Sequence, residues 1–369
     1  MDNMSKTLFI TNRCVHYRKP LFEELSKNNV DFLFTAEDKR PFLNSKIIKG
    51  IGIRRMSIHL NLFSFITDKK YSKIIMLPPD PSNLIDNLFI YIFCRLYRKP
   101  YIIWTERWKY KEIAIKDKIS NIFYLPIIKQ ATKIIVPGTK AKKFILSYGI
   151  SKDKIILIQN ASEIEYDADK TNDFKEEIKK KYMLENKKVI LYVGRIIKIK
   201  GLNYLIDAMT KIKDKNTVLL IVGGGDFYKL GEPNVTTEII NQIKQNNLND
   251  RVILIGEINH KLLPAYFLLS DIFVYPSVTL KRGDAWGLSI NEAMQFGLPI
   301  VTTTAVGCSE DLVKNGYNGY VVPEKNSKAL SLAIINTLQN SKIFGKNSKK
   351  IIKNYTYDKM LISFINTLK

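Results

Sequence analysis

Short runs of apolar, β-branched residues recur along the chain, separated by longer amphipathic stretches: TLFIT (7–11), VDFLFT (30–35), KIIML (73–77), YIIWT (101–105), KIIVP (133–137) and ILIQN (156–160). Strands that stay apolar throughout belong to a parallel sheet covered on both faces by helices. The rhythm breaks over residues 162–188, a polar and charged stretch predicted to be a connection carrying one surface helix. It restarts with VILYVG (189–194), TVLLIVGGG (217–225), RVILIG (251–256), DIFVYP (271–276), LPIVTTT (298–304) and GYVVP (319–323). The prediction is an α/β protein of two doubly wound domains, 1–165 and 188–352, joined by 166–187. A C-terminal helix over 353–369 is expected to pack back on the first domain. A chain of 369 residues exceeds what one core usually serves, in keeping with two. In such sheets ligands bind beyond the carboxyl ends of the strands, so the cleft between domains is the expected site.

Composition narrows the classes. The chain is 46% hydrophobic and 25% charged, which is that of a folded soluble protein. Cys14, Cys94 and Cys308 are widely separated, which fits neither a disulfide framework nor a structural zinc site and favours a reducing cytoplasm. The apolar run near the N-terminus is too short for a signal peptide. The most apolar helical stretch, Leu84 to Tyr97, is shorter than a membrane span and interrupted by Asp86 and Arg95, so it is expected to be a buried helix. A net charge of +23 calls for an anionic partner (nucleic acid, membrane surface or phosphorylated ligand) or reflects a general lysine bias.

Candidate chemistry gathers at strand ends. In VGRIIKIKG (193–201), Gly194 and Arg195 close a strand and Lys200 opens a helix, so a tight loop can aim two cations at one diphosphate. In IVGGGD (221–226), consecutive glycines including Gly224 let backbone approach a ligand, without the spacing of a dinucleotide fingerprint. In GDAWGLSINEAMQFGLP (283–299), Gly287 and Leu288 open a helix whose N-terminus suits phosphate. Glu292 sits just over one turn in, where a carboxylate can accept hydrogen bonds from a vicinal diol. Asp284 precedes the helix on a loop. Ser309 and Asp311 in TTTAVGCSEDL (302–312) read as helix-start chemistry, beside a loop over 305–307. Asp167 and Asp169 form an Asp-x-Asp inside the polar connection, predicted to be solvated rather than metal-binding. His16, His59 and His260 lack metal-ligand spacing, and neither metal nor cofactor is expected.

Together these stretches resemble the retaining family 4 glycosyltransferases of GT-B fold. The likeness runs over 189–323, through VGRIIKIKG, LLIVGGGD, VILIGEI, DIFVYPSV and above all DAWGLSINEAMQFGLPIVTTTAVGCSEDLVKNGYNGYVV. The first half matches in rhythm and in HYRKPLFEEL (16–25) and ATKIIVPGTKAKKFIL (131–146). The resemblance implies that Arg195 and Lys200 neutralise a donor diphosphate, aided by backbone amides near Gly287 and Leu288. It implies that Glu292 holds the ribose and Asp284 contacts the donor sugar, with Gly194, Gly224 and Glu257 also on the donor side. Fixed cations and a helix end would then stabilise the leaving group without a metal. The family usually carries glutamate where this chain has Asp284, and often a histidine where it reads WTERW (104–108), so Glu106 is a catalytic candidate there. His16 and Arg18 are acceptor-side candidates.

The expected function is transfer of a hexose from a UDP- or GDP-sugar to a glycan or lipid-linked acceptor, with retention of configuration, in cell-surface polysaccharide or glycolipid synthesis. The expected place is the cytoplasm at the inner membrane face, in peripheral contact with anionic lipid. A sugar-nucleotide epimerase of the same fold is the alternative enzyme. A basic nucleic-acid-binding protein is the alternative from another class, although no helix-turn-helix, zinc or aromatic-platform motif supports it.

Overall fold

The computed structural model describes residues 5–12, 14–35, 45–48, 51–53, 56–76, 83–108, 124–225, 235–280 and 283–369, with backbone alone at 16, 51–53 and 56–58. The chain forms two compact units, Met1–Gln159 with Tyr357–Lys369, and Asn160–Thr356.

The first unit holds β1 (Lys6–Thr11), β2 (Val30–Phe34), β3 (Ser45–Ile47), a hairpin of β4 (Ile51–Ile53) and β5 (Met56–Ile58), then β6 (Tyr71–Met76), β7 (Tyr101–Trp104), β8 (Lys133–Val136) and β9 (Ile155–Leu157). Its helices are α1 (Lys19–Lys27), α2 (Leu62–Thr67), α3 (Leu84–Leu96), α4 (124–130) and α5 (Thr139–Leu146). Seven strands pair in parallel in the order β3-β2-β1-β6-β7-β8-β9. The sequence reading missed β3, β4 and β5, because three residues are too few to show a period.

The second unit holds α6 (Ala168–Lys181), β10 (Lys188–Val193), α7 (Leu202–Lys211), β11 (Thr217–Val222), α8 (Val235–Gln245), β12 (Val252–Gly256), α9 (Leu263–Leu269) and β13 (Ile272–Tyr275). It continues with α10 (Leu288–Gln295), β14 (Ile300–Thr303), α11 (Ser309–Leu312), β15 (Gly319–Val322), α12 (Ser327–Gln339) and α13 (Ser341–Ile352). Its strands pair in parallel in the order β12-β11-β10-β13-β14-β15. Both sheets therefore reverse direction beside their first strand, between β1 and β6 and between β10 and β13. Those are the topological switch points where α/β sheets bind ligands.

The elements follow from side-chain spacing. Every residue of β11 is buried, as its unbroken apolar run requires. The helix α7 buries Leu202, Leu205, Ile206 and Met209, one stripe at intervals of three and four. Asp167, half of the Asp-x-Asp, caps α6 by accepting from the N–H groups of Asp169 (3.1 Å) and Lys170 (3.2 Å).

The first unit has an aromatic core in which Phe9 lies 5.4 Å from Phe22, 5.2 Å from Phe32 and 5.6 Å from Trp104, ring centre to ring centre. The last helix, α14 (Tyr357–Leu368), completes it, with Phe364 fully buried and 5.0 Å from Trp104. Tyr357 donates to the carbonyl of Tyr17 at 2.8 Å, and Lys73 donates to the carbonyl of Leu368.

The stretch Leu84–Tyr97 corrects the sequence reading. It is helical as α3, but the face it buries is Asp86, Asn87, Ile90 and Cys94, while Phe89, Ile92, Leu96 and Tyr97 are exposed. The reason is a polar anchor. Asp86 accepts from the backbone N–H of His59 at 2.9 Å and faces its ring Nδ1 at 2.8 Å, and His59 Nε2 lies 2.8 Å from the carbonyl of Thr35. A carbonyl only accepts, so Nε2–H donates there. Leaving such groups unpaired inside costs more than leaving an apolar side chain in water, so the polar anchor sets which face turns inward.

Candidate active site

The second unit gathers the sequence-predicted residues at its switch point. After β10, Gly194 and Arg195 lead into a single turn over Lys198–Lys200, and Gly201 (φ +64°) starts α7. A Cβ on Gly201 would lie 2.3 Å from the carbonyl of Pro276, so only glycine lets this turn close on the loop that follows β13. The backbone N–H of Val278 donates to Ile199 at 2.8 Å and stitches the two together.

That closure delivers Lys200, which is 6% exposed, to a polar cluster. Its ammonium donates to the hydroxyl of Tyr275 and to Oδ2 of Asp284, and lies 4.7 Å from the centre of the Tyr275 ring. Ser277 donates to the same carboxylate oxygen at 3.0 Å. Burial alone pushes the Asp284 carboxyl up, but the Lys200 charge and the hydrogen bonds from Lys200, Tyr275 and Ser277 outweigh it, holding the carboxyl below its usual range. Tyr275 and Tyr192 stack at 6.1 Å, and both phenols are pushed well up, by burial first and then by the Asp284 charge. They are neutral hydrogen-bonding groups at neutral pH.

The loop bearing Asp284 is itself held. The N–H of Asp284 donates to Ala305 at 2.9 Å, that of Gly307 donates back to Asp284 at 2.9 Å, and Cys308 donates to Trp286 at 3.2 Å. This short ladder explains the glycine loop at 305–307: it braces the acidic loop. Gly287 then opens α10 at φ +95°, and a Cβ there would meet Val306 at 3.1 Å and Tyr275 at 3.2 Å. Leu288 is the first residue of the helix, and half-buried.

One turn on, three consecutive-face side chains of α10 bind one extended segment. Asn291 donates to the carbonyl of Asn160 (3.0 Å), Glu292 accepts from Ser162 (2.7 Å), and Gln295 makes two 2.9 Å bonds to the backbone of Ile164. Glu292 is 7% exposed and also faces His260 Nε2 at 3.9 Å. The nearby Glu292 carboxylate raises the His260 pKa against the opposing effect of burial.

Of the remaining candidates, Arg195 borders this cluster, its carbonyl accepting from the hydroxyl of Tyr192 at 2.8 Å. Arg195 and Glu257 are exposed, and a Cβ on Gly224 would fall 2.9 Å from Glu257, so those two are neighbours at the ends of β11 and β12. Phe227 and Tyr228 lie outside the described residues. In the first unit, Arg18 binds Glu106 at 2.6 Å and stacks on Trp104, its guanidinium carbon 4.2 Å from the ring centre. His16 begins the turn before Arg18. Among the described residues no cluster of histidine, cysteine, aspartate and glutamate fits a metal, and no helix is long and apolar enough to cross a membrane.

The sequence reading missed Ser162, Tyr275, Ser277 and His260. Tyr275 and Ser277 had a usable signal, since hydroxyl side chains at the carboxyl end of a buried strand face a ligand site in such sheets. Ser162 and His260 had none, being brought to Glu292 from far along the chain.

Known proteins bear on this arrangement. An uncharacterised glycosyltransferase of Methanocaldococcus jannaschii is 27% identical over 289 residues, spanning 74% of this chain and 69% of its own length. The capsular polysaccharide biosynthesis glycosyltransferase CapM of Staphylococcus aureus is 24% identical over 94% of this chain and 91% of its own. Among solved structures, HepE of Anabaena in complex with UDP superposes with a TM-score of 0.79 at 16% identity, over 98% of this chain and 99% of that one. That likeness shows the fold, two Rossmann-like parallel sheets of GT-B class. A profile of the glycosyl transferases group 1 matches residues 173–358, half of the chain and nearly all of the second unit. The chain belongs to the glycosyl transferases group 1 family.

Proposed function

We propose that the protein moves a hexosyl group from a nucleoside diphosphate sugar to a glycan or lipid-linked acceptor, with retention of configuration, as the family 4 enzymes do. The observation that carries this is Lys200, a buried cation fixed at the switch point through Tyr275, on which the glycine of the α10 N-terminus also closes. A buried cation beside a helix N-terminus is a site for phosphate. In this reading Lys200 and Arg195 take the diphosphate as it leaves, and Gly194 and Gly224 give it room. Glu292 accepts from ribose hydroxyls while Ser162 orients it. Asp284 meets the donor sugar and sets the direction of the Lys200 ammonium. Glu257 lies on the nucleoside side, and Arg18, Glu106 and His16 of the first unit serve the acceptor.

Solved complexes of HepE hold UDP and UDP-glucose, and CapM acts in capsular polysaccharide biosynthesis; both support the proposed donor and pathway class. Three buried free cysteines support a reducing compartment. Neither the epimerase nor the nucleic-acid-binding alternative is favoured by the family match. The test is thermal unfolding against UDP-, GDP- and ADP-sugars, where ligand at a hundred times its Kd adds about 2.7 kcal/mol of stability. One nucleotide sugar is expected to raise the melting temperature of the native protein and not of Lys200→Ala. A native protein that responds to none of them sinks the reading.

A further inference from the structure

The first unit carries an apolar surface that its own core does not need. Six of the sixteen exposed large hydrophobics among the described residues are Leu60, Phe63, Phe89, Ile92, Leu96 and Tyr97. The rest are scattered over the chain. On α3, Phe89, Ile92 and Leu96 follow at intervals of three and four and form one stripe, opposite the buried face of Asp86, Asn87, Ile90 and Cys94. The stripe extends to α2 through rings in contact, with Phe93 4.9 Å from Phe63 and 6.2 Å from Phe89. Contiguous exposed apolar surface of this kind marks an interaction site.

The charge around it selects the partner. Lys69, Lys70, Arg95 and Arg98 are exposed on the same two helices and their ends, and Lys99 is half-buried. Of the described acidic residues between 59 and 99, Asp86 is buried against His59, and Asp68 is paired with Lys70 at 3.4 Å. A helix with an outward apolar stripe, aromatic residues and a cationic margin lies in the interface of an anionic bilayer, rings among the headgroups and cations on the phosphates. We infer that the α2–α3 face of the first unit docks on an anionic membrane surface. His59 and Asp86 make this possible, since their buried pairing sets α3 with its apolar side outward.

Flotation of the full chain with lipid vesicles, in the absence of donor and acceptor, tests this. Vesicles of phosphatidylglycerol mixed with phosphatidylcholine are expected to carry the protein upward, and vesicles of phosphatidylcholine alone to carry much less. Ile92→Glu with Leu96→Glu is expected to lower partitioning by about tenfold or more, because two anchoring side chains become anions. Arg95→Glu with Arg98→Glu is expected to lower it by about tenfold on anionic vesicles and to flatten its salt dependence. Unchanged circular dichroism and an unchanged melting shift with nucleotide sugar show that both variants are folded, which keeps this result separate from the proposed transfer activity. Native protein that stays off anionic vesicles overturns the inference, as do variants that float like it. A native dimer that Ile92→Glu with Leu96→Glu converts to monomer, with flotation unchanged, assigns the face to a second copy instead.

Discussion

The two units share one topology and spend their polar side chains differently. In the second, the carboxyl edge of the sheet holds charged groups in short hydrogen bonds, Lys200 with Asp284 and Glu292 with Ser162, all from different elements. In the first, the corresponding edge pairs Arg18 with Glu106 and sets Lys140 over the ring of Trp108, above an aromatic core of Phe9, Phe22, Phe32, Trp104 and Phe364. One sheet is built to hold a fixed pattern of charge. The other rests its described edge chemistry on an aromatic platform. A doubly wound sheet imposes where a ligand binds and leaves what binds to the loops, and the proposed donor site is the charged edge.

The sharpest test removes the charge on which that edge depends. Lys200→Ala takes from Asp284 the cation that it pairs with, and breaking a buried pair from one side costs about 3–5 kcal/mol. Sugar transfer is expected to fall by about 100- to 1,000-fold as well, the usual cost of one lost oxyanion-type contact. Lys200→Met combined with Asp284→Asn separates the two effects: stability returns to within about 1 kcal/mol of native because no charge is stranded, while transfer stays low. If the double variant regains transfer, Lys200 serves the fold alone. Acid unfolding reports the same pair. The folded Asp284 carboxyl lies below its usual value, so its contribution is present above the ordinary carboxylate range and is lost as pH falls through the folded value. The native protein is therefore expected to lose stability relative to the double variant as pH falls.

Breaking the platform should leave the charged edge working. Phe364→Ala empties a fully buried site between α14 and Trp104 of β7, at a cost of about 3–5 kcal/mol. Affinity for nucleotide sugar, measured in the cold where the variant is folded, is expected to be unchanged, because every proposed donor residue lies in the second unit. A matching loss of donor affinity places the donor site partly in the first unit.

The same contrast decides what the sequence could disclose. The charged edge was legible because its parts are local: Lys200 stands five residues past Arg195, Gly287 three past Asp284, and each stretch follows a long apolar strand. The pairing of Lys200 with Asp284 was not legible, since it depends on Gly201 closing against Pro276 from another strand. Nor were Ser162 and His260. Composition assigned the first to a polar connection, yet α10 buries it, Glu292 accepting from its hydroxyl and Gln295 bonding the backbone of nearby Ile164. In the platform, length and mean hydropathy misjudged α3, because they ignore that one buried carboxylate outweighs several apolar side chains in setting which face turns inward. Strands β3 to β5 were too short to have a pattern at all.

Ser162→Ala probes the finer grain of the charged edge. It removes a buried 2.7 Å bond to a carboxylate and is expected to cost about 1–3 kcal/mol of stability. In a Glu292→Gln background the cost should be smaller, since the acceptor is no longer charged. Equal costs in both backgrounds mean that Ser162 acts through packing.

The smallest effect is the most specific. Glu292 raises the pKa of His260, to which it is close enough for attraction but too far for a full hydrogen bond at 3.9 Å. Its folded pKa is raised, so the stability it adds is complete below the ordinary value of 6.5 and is lost as pH rises through the higher folded value. The melting temperature of the native protein, less that of His260→Gln, is thus expected to be small and positive at mildly acidic pH and to vanish on the alkaline side. The side chain is 46% exposed, so added salt should erase the difference at any pH. In Glu292→Gln the gain toward acidic pH should disappear, because burial alone then acts on His260 and lowers its pKa. A difference that survives in that background ties His260 to some other acid and leaves Glu292 held by Ser162 alone.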